Sequence, residues 1–192
     1  MAITAELVLE ATGEARLEDV SQLLLRGQGL ASFDAGCAAR LGSLAVLSLS
    51  NNAVSSLNHF TSLTGLVELN LNFNALINLR GLERCGGLRR LYLSNNLLAT
   101  DALAALAAFA ELRTLCLFRN RLENLPEALG AFRRLVKLRE VDLDGNPCAR
   151  CEGYRPTVVR ALSRLEELDG ESVTSLDREL AEFCHAAARR SA

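Results

Sequence analysis

Cys148 and Cys151 stand three positions apart in Cys148-Ala149-Arg150-Cys151, a spacing with the makings of thiol or metal chemistry. Two cysteines so placed supply half of a tetrahedral zinc site, or the two sulfurs of a redox pair. Zinc needs two further ligands, and the chain offers His59 and His185 but no second cysteine pair. Cys148 also falls where the surrounding pattern calls for an apolar residue. Both are therefore expected to be structural thiols, with no metal and no cofactor. A second group is acidic: Glu140, Asp142, Asp144, Glu167 and Asp169. Alternating along strands, these carboxylates form no closed oxygen cage for calcium and imply no cleft for acid–base work. Gly86-Gly87 follows a return segment rather than a strand, so it is no phosphate loop. Arg89-Arg90 and Arg133-Arg134 are too sparse for a nucleic-acid footprint. The chemistry expected of this chain is recognition rather than catalysis.

What positions these residues is a repeat. The pattern LxxLxLxxN occurs as Leu44-Leu47-Leu49-Asn52, Leu66-Leu69-Leu71-Asn74, Leu88-Leu91-Leu93-Asn96 and Leu112-Leu115-Leu117-Asn120. A degenerate copy (Val20, Leu23, Leu25, Gln28) precedes these, and Leu138, Val141, Leu143 and Asn146 follow. Successive starts lie 24, 22, 22, 24 and 26 residues apart, a period at which one short strand and its return segment bury their leucines only by stacking on neighbours. Alternate strand residues point to opposite faces, so Leu47 and Leu49 point inward while Val46, Ser48 and Ser50 point outward. Asn52, Asn74, Asn96, Asn120 and Asn146 sit where the chain turns, and their amides are expected to bond backbone groups that the turns leave unpaired. Asp169 takes that structural position in a last, partial repeat.

The flanks read as caps. Thr4 is a suitable N-cap for a helix over 5–11 that Gly13 would stop. Segments 57–63 and 79–85 suit single helical or 3₁₀ turns. Segment 100–110 is alanine-rich and predicts a true α-helix, as does 126–135 with its leading proline. After Asn146-Pro147, a helix opening at Tyr154 and the partial repeat Leu165-Leu168-Asp169 close the array, and an amphipathic helix after Thr174 carries Leu176, Leu180, Phe183 and Cys184 on one face. The expected organisation is one domain: an amino-terminal cap over 1–19, about six repeats over 20–146, a closing cap over 147–174 and a terminal helix over 175–192. The fold class is α/β, a solenoid with a curved parallel sheet on its concave face and short helices or 3₁₀ turns on its convex face. The 192 residues carry a formal net charge of -2, which argues against electrostatic binding to nucleic acid or anionic membrane. No long apolar run and no basic-then-apolar leader is present, and the six scattered cysteines fit reduced thiols in a cytosolic setting.

The pattern resembles the 22-residue leucine-rich repeat subclass of intracellular scaffolding and regulatory proteins. Asn146-Pro147, Tyr154-Arg155 and Leu165-Leu168-Asp169-Gly170 are similar to that subclass's carboxy-terminal cap. Ciliary and axonemal members share a similar amino terminus, a few repeats and this cap. The resemblance implies a non-catalytic adaptor that binds a protein partner, with no small-molecule substrate, in the cytoplasm at a cilium, axoneme or cytoskeletal assembly. It is expected to be monomeric until bound. A regulatory subunit holding a phosphatase or other enzyme, a ribonucleoprotein subunit, and a thiol- or metal-dependent enzyme stay open as alternatives. The partner surface expected on the concave face comprises Asn70, Phe73, Arg90, Tyr92, Cys116, Phe118, Glu140, Asp142 and Asp144. Its aromatics offer large contact area at little entropic cost, and its acidic end would steer a basic partner.

Overall fold

The computed structural model describes residues 1–190. Strands β2 (Gln22–Leu24), β4 (Val46–Ser48), β5 (Glu68–Asn70), β6 (Arg90–Tyr92), β7 (Thr114–Cys116), β8 (Glu140–Asp142) and β9 (Glu167–Leu168) lie side by side in chain order, all parallel. Their register places Leu23, Leu47, Leu69, Leu91, Leu115, Val141 and Leu168 in one inward row, and every one is buried. Each such side chain contributes about 1.5–3 kcal/mol on burial, so the leucine rows carry most of the stability. Strand β10 (Glu171–Ser172) then turns back antiparallel on β9 and ends the sheet.

The amino terminus is tied in at two levels. Helix α1 (Ala5–Thr12) begins where the Thr4 hydroxyl accepts the Leu7 amide at 3.3 Å, and stops at Gly13, whose φ of 72° is left-handed. Ahead of it, β1 (Ala2–Ile3) pairs in parallel with β3 (Ser32–Phe33). Two-residue strands leave no periodic trace, and the sequence pattern does not reveal this pairing. Helix α2 (Ala35–Arg40), capped by the Asp34 carboxylate on the Cys37 amide at 2.9 Å, was also unexpected.

The return segments correct one expectation. Residues Thr100–Ala108 form a 3₁₀ helix rather than an α-helix. Leu103, Leu106 and Phe109 are buried and recur every third residue, the period at which 3₁₀ side chains eclipse. The Thr100 hydroxyl, moreover, does not cap its own helix; it accepts the Glu123 and Asn124 amides of the next repeat at 3.1 and 3.2 Å. Helix α3 (Leu125–Phe132) shows the contrast: Leu125, Ala128, Leu129 and Phe132 are buried at α-helical spacing, Asn124 caps the Glu127 amide, and Pro126 sits in the first turn. Phe60–Ser62 is a short 3₁₀ turn, and segment 79–85 contains only turns.

At the far end, α4 (Tyr154–Ala161) covers the last repeat, and α5 (Ser175–Arg190) packs on α4. Its contact side is Ala181, which is buried, whereas Leu176, Leu180, Phe183 and Cys184 are exposed.

Candidate functional site

Sheet register arranges the outward side chains into rows. The first runs Gln22, Val46, Glu68, Arg90, Thr114, Glu140 and Glu167. The second runs Leu24, Ser48, Asn70, Tyr92, Cys116 and Asp142. Tyr92 is thus the direct neighbour of Cys116, and Cys116 of Asp142. Phe118 extends the same strand direction by two residues, and its carbonyl accepts the Asn95 amide. Phe73 stands apart from these rows. It lies at the rim in a left-handed conformation (φ 56°), at the turn position that Asn51, Asn95 and Arg119 occupy in their repeats.

Several of these groups already have partners. Arg90 donates through Nε to Glu68 at 2.7 Å, and the Thr114 hydroxyl donates to Glu140 at 2.8 Å. Asn70 accepts the Asn72 amide at 3.0 Å; Asn72 in turn accepts the Ser94 amide at 2.7 Å. Asn72 lies outside the expected partner set, although its outward position follows from the strand alternation. The Arg119 guanidinium lies 5.0 Å from the Phe118 ring centre, a cation–π contact. A methyl group on Gly145 would come within 2.7 Å of the Arg119 Cγ, so glycine there leaves room for the arginine stem.

The face changes character toward its carboxy-terminal end. Burial pushes the Cys116 thiol up to about 12, with Asp142, Glu140 and Glu167 adding to the shift. Burial also raises the Asp142 carboxyl, against a bond from the Asp144 amide, with Asp169, Asp144 and Glu167 raising it further. Tyr92 is shifted up by burial and then by Glu68. Carboxylates that together raise the proton affinity of Asp142 and Cys116 mark a surface where an added positive charge would be favourable.

The chemical candidates look different once placed. Cys148 is buried, and burial followed by Cys151 pushes its thiol to about 11. Cys151 is exposed and its thiol donates to the Cys148 carbonyl at 3.0 Å. A thiol held so far above neutral pH is a poor nucleophile or metal ligand. Among the described residues no three His, Cys, Asp or Glu side chains are grouped so as to hold a metal ion, and no helix is long and apolar enough to cross a membrane.

Beneath the face runs a ladder of asparagines. Asn96 donates to the Leu71 and Leu93 carbonyls at 2.9 and 3.0 Å and accepts the Leu76 amide at 3.0 Å. Asn120 makes the same three bonds one repeat later, to Leu93, Leu117 and Leu98; Asn146 repeats them again with Leu117, Leu143 and Leu122. Asn52 and Asn74 bridge the earlier repeats likewise.

The family described as Leucine rich repeat matches residues 19–76. Dynein axonemal assembly factor 11 of Trypanosoma brucei brucei is 51% identical over 41 residues, which cover 21% of this chain and 11% of that protein. Leucine-rich repeat-containing protein 51 of Homo sapiens is 36% identical over 88 residues, covering 46% of this chain and 44% of that protein. The chain thus spans less than half the length of these curated relatives. In fold it is similar to a chain of the Drosophila melanogaster SNF/U2A′ complex, with a TM-score of 0.61 and 20% identity over 95% of this chain and 91% of that one.

Proposed function

We propose that this leucine-rich repeat protein captures another protein on its concave face and acts as a non-catalytic scaffold in a ciliary or cytoskeletal assembly. The observation that carries the reading is the adjacency of Tyr92, Cys116 and Asp142 in one row of the sheet, with Phe118 beside them and Glu140 and Asp144 at the edge. Half-buried aromatics beside a charged rim are the composition of interface hot spots. The acidic end favours a basic partner and speeds its approach. The ciliary part is supported by the relative named for assembly of axonemal dynein, and it would place the protein in the cytoplasm at the cilium, axoneme or cytoskeleton.

Proximity labelling of the tagged protein in ciliated cells tests the reading, with the Tyr92→Ala, Phe118→Ala double variant alongside. The expected result is a set of axonemal or assembly-factor neighbours that the double variant loses while its melting temperature stays nearly unchanged. An exclusively nuclear set, or one made only of a catalytic subunit, would overturn the assignment. Unchanged neighbours for the double variant would move the site off this part of the concave face.

A further inference from the structure

We infer that α5 carries a second docking surface, separate from the concave face, which seats an amphipathic helix of a partner protein with basic residues along its edges. The helix is attached to the domain by its small and polar side. Ala181 is 3% exposed against α4, and the Arg178 guanidinium donates to the Ser163 and Leu165 carbonyls at 2.8 and 2.7 Å. Its large apolar residues turn the other way: Leu176, Leu180 and Phe183 are 62%, 50% and 70% exposed. At about 100° per residue these three side chains lie close to opposite Arg178 and Ala181. The fold therefore presents the stripe to solvent rather than burying it.

The spacing of the stripe identifies the shape of its occupant. Steps of four and then three residues give the heptad seam into which a facing helix inserts its own side chains. Charge identifies the occupant's edges. Along the stripe-bearing residues 176–183 the carboxylates are Asp177, Glu179 and Glu182, of which Asp177 is bound by Arg155, and the one basic residue, Arg178, is committed to the two carbonyls above. Glu179 flanks the stripe and Glu182 lies one position further round, both exposed and, among the described residues, without an ion pair. Basic residues on the incoming helix would meet these carboxylates. A second copy of this chain fits less well. It would bring the same carboxylates to face Glu179 and Glu182.

The helix is also held firmly enough to act as a platform without its occupant. Arg155 clamps Asp177 through Nε at 2.7 Å, and the Asp177 carboxylate accepts both the amide and the hydroxyl of Thr174 at 2.8 and 2.7 Å. None of these bonds involves the stripe, so the stripe can be altered without releasing the helix.

The test uses the full chain and two synthetic amphipathic peptides, each about three heptads long with leucine at the seam. One carries lysine and arginine along the seam edges and the other glutamate. Fluorescence anisotropy should show the basic peptide binding more tightly than the acidic one. Leu180→Ser with Phe183→Ser should weaken it by roughly tenfold or more, with circular dichroism and melting temperature unchanged, and Tyr92→Ala with Phe118→Ala should leave it intact. Equal binding of the two peptides, or binding indifferent to the Leu180 and Phe183 substitutions, would overturn the inference. So would concentration-dependent dimerisation in sedimentation velocity that the same substitutions abolish, which would assign the stripe to a second copy.

Discussion

The Asp169 carboxylate accepts the Leu143 amide at 2.7 Å, and in doing so it ends the parallel sheet. In the preceding repeats that amide bonds a main-chain carbonyl of the next strand, as Leu117 bonds Asp142 and Leu93 bonds Cys116. At the last repeat the chain turns away, through Asp169 at φ 54° and Gly170 at φ 78°, and the side chain replaces the missing carbonyl. Asp169→Ala would leave the Leu143 amide half-buried and unpaired, at about 1–3 kcal/mol. Asp169→Asn keeps an acceptor oxygen and should recover most of that loss. Urea denaturation of both variants checks this; an alanine variant as stable as the parent would rule out the capping role.

The same logic grades the asparagine ladder. Asn120 is buried, so Asn120→Ala leaves the Leu98 amide unpaired out of reach of water, while the Leu93 and Leu117 carbonyls keep one donor each, from Asn96 and Asn146. Asn52 makes equivalent bonds at a half-buried site near the amino-terminal edge. The expected loss is about 1–3 kcal/mol for Asn120→Ala and clearly less for Asn52→Ala. Equal losses in paired urea titrations would contradict this account of the ladder.

How much of this was readable in the residues differs by element. The inward leucines and the turn asparagines were plain because a fixed period repeats one physical requirement five times over. The 3₁₀ helix at Thr100–Ala108 was misread because alanine propensity outweighed the three-residue spacing of Leu103, Leu106 and Phe109. The β1–β3 pairing left no signal, since two residues cannot show alternation. For α5 the sequence displays an apolar stripe, but it does not say whether the leucines or Ala181 face the domain. Packing on α4 settles that. Among the site residues, register groups Tyr92, Cys116 and Asp142 as the outward alternation implied, whereas the left-handed turn moves Phe73 to the rim.

Phe73 gives a prediction of opposite sign. A phenylalanine at φ 56° strains the backbone, while Asn51 and Asn95 hold the same conformation in their repeats at φ 58° and 57°. Asparagine enters this region far more readily than bulky residues do. Phe73→Asn should therefore stabilise the fold by about 1 kcal/mol, because the ring is exposed and little burial is lost. The urea midpoint should rise with an unchanged slope. A lower midpoint would mean that the Phe73 ring contributes packing that outweighs its backbone strain.

Acid should loosen the attachment of α5. The Arg155 guanidinium holds the Asp177 carboxyl far below the usual carboxylate range, helped by the Thr174 hydroxyl and amide. Glu18 is held at about 2, first by its bond from Arg40. A carboxyl whose folded value lies below its unfolded one stabilises the fold above the unfolded value, near 4, and that contribution fades as pH falls through the folded value. Asp142 runs the other way: burial raises it, so its protonation on mild acidification relieves the crowded acidic edge while the Asp177 clamp still holds. The expected outcome is that hydrogen-exchange protection factors of the α5 amides hold steady down to about pH 4 and then fall. In Asp177→Asn, which has no charge to lose, protection should be lower at neutral pH and nearly independent of pH over the same interval. If Asp177→Asn retains the parent's protection at neutral pH, or loses it with the same acid dependence, the clamp is not what fastens the helix.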